Sequence, residues 1–257
     1  MFELFLGELR RSWIQFRRYP FDSLGLIIIT TFIFFGLFLS ARYIAGDTFK
    51  LGERLDSVVI GYVLWTLVLY ILSDISGGIQ LGAQTGTLEQ LFLSRFGAIK
   101  VFLMRSLAEL TIHLLIILGS LIAIMLFTGS RLSFPPVLVL PFVTLLLGAY
   151  GIAFALGGLA LLLKRVQNLF SIIQFLPLFL LSTPLETWKP PLNILAQLLP
   201  FTTGAGILRD LMARNESLNL TKLAIAFING LLYFGVGLFL FRLAERKTKQ
   251  QGMLGGY

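Results

Sequence analysis

The sequence contains no cysteine and one histidine, His113. The first absence excludes disulfides, thiolate nucleophiles and cysteine metal sites, and the second removes histidine metal clusters and most proton-relay chemistry. Charge is also sparse: Asp, Glu, Lys and Arg make up 13% of the chain against 56% hydrophobic residues, with a mean hydropathy of +0.86. That composition lies outside the range of soluble globular domains. No G-x-x-x-x-G-K-[ST] loop occurs, so the chain has no recognisable means of holding ATP phosphates. No internal repeat relates its halves, which disfavours an inverted-repeat transporter. Six spans of about 20 residues would take up nearly half of the 257 residues and leave no room for a separate soluble catalytic domain.

What is present is a series of long uncharged stretches. They run from Ser23 to Ala41, Asp56 to Asp74, Glu109 to Arg131, Pro135 and Pro136 to Leu163, Val166 to Leu185, and Leu223 to Phe241. Each can cross about 30 Å of hydrocarbon as a helix. A further uncharged stretch, Pro190 to Leu208, is interrupted by Pro190, Pro191, Pro200, Thr202, Thr203, Gly204 and Gly206. It reads as two short helices dipping in and out, packed against the spans because broken backbone at membrane depth needs cover. The expected fold is an all-α integral membrane protein of six transmembrane helices with a broken re-entrant segment before the sixth.

Basic residues set the orientation. With six spans and the amino terminus inside, the cytoplasmic pieces hold Arg10, Arg11, Arg17 and Arg18, then Arg95, Lys100 and Arg105, then Lys164 and Arg165, then Arg242, Arg246, Lys247 and Lys249. A seventh span would place the last cluster outside, against the positive-inside rule. Both termini are therefore expected in the cytoplasm, with the chain in the cell (inner, cytoplasmic) membrane. The net charge of +8 lies beside apolar segments, as at an anionic lipid face, and does not form a surface for nucleic acid.

Before the first span, Phe2, Phe5, Leu6, Leu9, Trp13 and Phe16 form one helical stripe, with Arg10, Arg11, Arg17 and Arg18 off it. This predicts an amphipathic interfacial helix over residues 1–20, ended by Pro20. Residues 23–243 form the bundle and 244–257 a cytoplasmic tail, all in a single domain. Ala149, Ala153 and Gly157 recur every four residues along the fourth span, a spacing that lets another helix approach closely.

Between the second and third spans, Leu81 to Lys100 is too polar to cross. In Gly86-Thr87-Leu88-Glu89-Gln90-Leu91-Phe92, Thr87 is placed to cap a helix, Gln90 takes the capping-box position, and Leu88, Leu91 and Phe92 share a face. The pattern predicts a short cytoplasmic helix whose apolar face a partner's groove would bury. Ionisable groups within spans are costly and often functional. Arg105 and Glu109 lie one turn apart and read as an ion pair, Asp74 and Glu109 fall near the cytoplasmic ends of their spans, and His113 lies one turn deeper. No constellation reads as catalytic or metal-binding.

The Gly-Thr-Leu-Glu-Gln-Leu string at this position resembles the coupling segment of ABC-2 type permeases. The leading surface helix, six-span count and broken outer segment are similar to that family, as are Pro184, Leu199-Pro200-Phe201-Thr202 and Leu208-Arg209. In place of the charged residues often found before that string stand Gln84 and Thr85, and Arg95 replaces a proline after it. The resemblance implies the membrane subunit of an ATP-binding cassette exporter, not an enzyme by itself. Two copies of this chain, or one with a related permease, would receive two cytoplasmic ATPase subunits on Gly86 to Phe92 and Arg95. ATP and Mg would be bound by those partners and none directly by this chain. Cargo would be amphipathic or lipid-like: drug, lipid, glycan or peptide.

The Ile75-Ser76-Gly77-Gly78-Ile79-Gln80 run looks like an ATPase signature loop, but it ends a span and lacks every accompanying nucleotide motif, so it reads as small residues for packing. Two other functional classes remain: an ATP-independent small transporter or oligomeric channel, and an intramembrane enzyme using Asp74, Glu109 and His113.

Overall fold

A computed structural model describes residues 2–45, 52–94, 96–163 and 172–250. The described residues are helical, with no strand among them. The helices are α1 (Phe2–Arg18), α2 (Pro20–Ala45), α3 (Gly52–Gln84), α4 (Leu88–Leu93), α5 (Ala98–Thr128), α6 (Val139–Leu163), α7 (Phe175–Ser182), α8 (Leu192–Leu198), α9 (Thr202–Met212) and α10 (Leu220–Gln250). Five segments are long and apolar enough to cross a membrane: Pro20–Ser40, Leu55–Gly82, Ala98–Thr128, Pro136–Leu163 and Leu220–Gln250. By length and composition the chain is a multi-pass membrane protein.

Local chemistry explains the boundaries. α1 carries Glu3 in its first turn and Arg17 and Arg18 in its last, the charge order a helix dipole favours. Pro20 then opens α2, where its missing N–H costs nothing. α5 ends at Gly129, whose left-handed φ of 71° lets its N–H bond back to the Met125 carbonyl. The helices overrun the uncharged stretches: Ala98 rather than Glu109 opens α5, and α3 continues to Gln84. Asp74 and Glu109 consequently lie within helices that continue beyond the uncharged stretches. Residues 244–250, expected as tail, continue α10, and 251–257 lie outside the described residues.

The sequence predicted one helix over Val166–Leu185. The described part of that stretch is instead α7, with Pro177 near its start, followed by a 3-10 turn at Leu185–Thr187. Lys164 and Arg165 lie outside the described residues. The interrupted segment divides as its prolines dictate. α8 stops at an extended Leu199, the conformation a following proline imposes, and α9 starts after Phe201. Phe201 sits at φ 68°, uncommon for an aromatic, and is held there by burial beside Gly148.

α6 is the centre of the bundle. Lipid supplies no hydrophobic drive between helices, so close backbone packing decides which ones associate. A Cβ on Gly237 would stand 1.9 Å from the Gly151 carbonyl oxygen, and one on Gly230 would stand 2.7 Å from that of Thr144. Gly158 meets Phe241 in the same way at 3.1 Å. Residue numbers rise together along this contact, so α6 and α10 run parallel, and the chain between them must return from one end of the bundle to the other. Ala149 and Ala153 are fully buried, while Gly157 admits Ile79 and Ile75 of α3. The predicted stripe therefore serves, at Gly157, a neighbour in the same chain. The tightest contact uses Gly151 and Gly158, which the four-residue spacing did not single out.

Candidate functional site

Chemistry concentrates at the two ends of the bundle. At the first, α3 hands over to α4 through Gly86 (φ 69°), and Gly97 (φ 77°) leads into α5. Positive φ at both suits glycine and brings a six-residue helix back across the bundle end. Leu88 is 1% exposed and Phe92 6%, with Leu91 partly buried; Gly82 of α3 lies against Leu88. Lys249 of α10 lies 5.3 Å from the centre of the Phe92 ring.

This geometry corrects the expectation for the apolar face. Leu88, Leu91 and Phe92 do share a face, but that face is buried in the chain's own core. Outward lie Gln90 and Leu93, the latter 78% exposed. The predicted capping box is absent as well: Thr87 occupies the N-cap position without capping α4, and its hydroxyl instead pairs with that of Thr85 at 2.9 Å. Arg95 and the Glu89 side chain lie outside the described residues.

A polar cluster lies along α5 on the same side. Glu109 Oε1 accepts hydrogen bonds from Arg105 Nε at 3.0 Å and from a terminal amino group of Arg11 on α1 at 3.1 Å. Arg11 also pairs with Glu8 at 3.2 Å. Asp74 of α3 lies near Glu109 and Ser106. Ser106 donates to the Tyr150 hydroxyl of α6 at 3.4 Å. His113 stacks on Tyr70 with ring centres 3.5 Å apart and planes within 7°. Asp74, Arg105, Glu109 and His113 are therefore brought near one another, joined by Arg11. The remaining α1 residues of interest, Arg10, Trp13, Arg17 and Arg18, are exposed, while Ser12 is buried.

Composition alone did not reveal the cluster at the other end. Arg209 of α9 is 1% exposed; one terminal amino group donates to Glu186 Oε2 at 2.7 Å and the other to the Leu181 and Thr183 carbonyls. Arg214 bridges Asp210 and Glu186, and Lys222 of α10 pairs with Asp210 at 2.8 Å. Burying charge is tolerated only with this degree of pairing. Beside it lies a cavity of about 130 Å³ lined in part by Asn193, Gln197, Thr202 and Lys222. The Asp210 and Arg214 spacing was the one readable hint; the other partners are distant in sequence. No family model and no curated protein matches this chain.

Proposed function

We propose that the chain is the membrane permease subunit of an ATP-driven exporter, with the ATPase on a separate cytoplasmic partner. The reading rests on the resemblance to ABC-2 type permeases, and one observation carries it: a six-residue helix, fastened to the bundle by Leu88 and Phe92, turns Gln90 and Leu93 outward. A helix held in that way transmits force, because moving it moves α3 and α5. Two copies of the chain would engage two ATPase subunits, which bind ATP and Mg. Their closure would shift the spans between inward- and outward-open states by differential binding. Six crossings with both termini cytoplasmic would account for the parallel run of α6 and α10, which needs one return between them, and α8 and α9 would form the outer broken segment. The cargo is read as amphipathic or lipid-like.

The test is whether an ABC ATPase copurifies with the tagged chain from its native membranes. Leu93→Asp should abolish copurification while leaving the membrane level unchanged, since Leu93 supports nothing within the chain. Leu88→Asp should lower the membrane level itself, because it places a carboxylate in the core. Undiminished copurification of the Leu93→Asp protein would overturn α4 as the contact, and absence of any ATPase with the unaltered chain would favour the ATP-independent transporter or channel.

A further inference from the structure

Between α1, α2 and α5 lies a cleft of about 460 Å³ that the transport reading does not use and that does not depend on it. One part of its wall is polar, formed by Arg11, Ser12, Arg105 and Glu109; the other carries the apolar Leu26, Ile112 and Ile116, with Asp22 and His113 among them. The carboxylate in the polar part is already engaged, because Glu109 accepts from both guanidiniums and Glu8 takes the remaining side of Arg11. Asp22, the other acid on the wall, sits in the first turn of α2, where the helix dipole favours its charge.

Among the groups left uncommitted are strong donors. Arg105 gives only its Nε to Glu109, and its two terminal amino groups have no protein partner among the described residues. Ser12 is 6% exposed, lines the cleft, and its hydroxyl has no hydrogen-bond partner. A guanidinium edge with free donors, in a cleft also lined by a residue whose buried hydroxyl is unpaired, suits a group with several anionic oxygens. The apolar part points to the source of that group. Leu26 is 43% exposed and adjoins the exposed Leu24, Ile28 and Ile29 of α2, a surface fit for hydrocarbon. Arg10, Arg17 and Arg18 stand exposed on α1, as suits a helix beside phosphate headgroups.

We propose that this cleft holds a membrane phospholipid, its phosphodiester on Arg105 and Ser12 and an acyl chain along Leu26, Ile112 and Ile116. Such a lipid would fasten α1 to the bundle and satisfy the Ser12 hydroxyl.

Native mass spectrometry of the full chain in detergent, titrated with phosphatidylglycerol, tests this. A single tightly held lipid is expected, with diacylglycerol of the same chains bound about tenfold more weakly for want of the charge-assisted bonds. Arg105→Gln should weaken phosphatidylglycerol binding by a similar factor, and Leu26→Asn should weaken it while leaving every ion pair intact. Millimolar inorganic phosphate should displace nothing. Equal retention of diacylglycerol and phosphatidylglycerol, or unchanged binding in both variants, would overturn the proposal. Displacement by inorganic phosphate would overturn the bilayer as the source.

Discussion

The two charged clusters differ in how completely they are closed. Around Arg209, every carboxylate oxygen of Glu186 and Asp210 has a cationic partner, Arg214 serving both acids, and both terminal amino groups of the buried central guanidinium are paired, leaving only its Nε without a partner. Around Glu109, one oxygen serves two guanidiniums, and Arg105 keeps both terminal amino groups in reserve. A closed network fixes one geometry, whereas an open one can exchange partners. The first therefore suits a structural lock beneath α9, and the second suits the movable or ligand-bearing end, where α1 packs on α5.

Substitutions can break or sharpen that contrast. Arg209→Met should have the largest effect, about 3 kcal/mol or more of stability, because it removes a buried guanidinium that holds Glu186 and the Leu181 and Thr183 carbonyls together. Thermal unfolding in detergent measures it, and a loss no larger than that for Arg105→Met would remove the distinction. Next comes the backbone contact joining the two ends. Gly237→Ala should cost about 2 kcal/mol by forcing α6 and α10 apart. Gly235→Ala, on the same helix with open space around its Cβ position, should be neutral within about 0.5 kcal/mol. Equal effects would mean that the close approach is not what joins the helices. Smallest is Glu109→Gln, about 1 kcal/mol or less since its partners are partly exposed, with faster proteolysis of α1 as the sharper readout. Unchanged cleavage would show that α1 is held by apolar contact alone.

Legibility in the sequence followed the range of the interaction. α1 was readable because Phe2 through Phe16 keep one helical phase, and α4 because Gly86 and the Leu88, Leu91, Phe92 face are local signals. The break at Leu199-Pro200 was readable for the same reason. Where the apolar face of α4 goes was not, since a short amphipathic pattern is satisfied equally by a partner or by its own bundle. The far cluster was hidden because Glu186, Arg209 and Lys222 converge only after the chain has turned back. Gly151 with Gly158, and Gly230 with Gly237, recur at seven residues in each helix, a spacing that could have indicated the α6 and α10 contact in advance. Helix ends were misplaced for a simpler reason: charge marks where a segment becomes costly in lipid, not where its hydrogen bonding stops, so α3, α5 and α10 run on past the uncharged cores.

Because the native chain has no cysteine, a single Gln90→Cys substitution reports on α4 alone. In membrane vesicles of known sidedness, an impermeant maleimide should label it only from the cytoplasmic face, and the partner ATPase should protect it. Labelling from the opposite face, or equal labelling with and without the ATPase, would contradict the role given to α4.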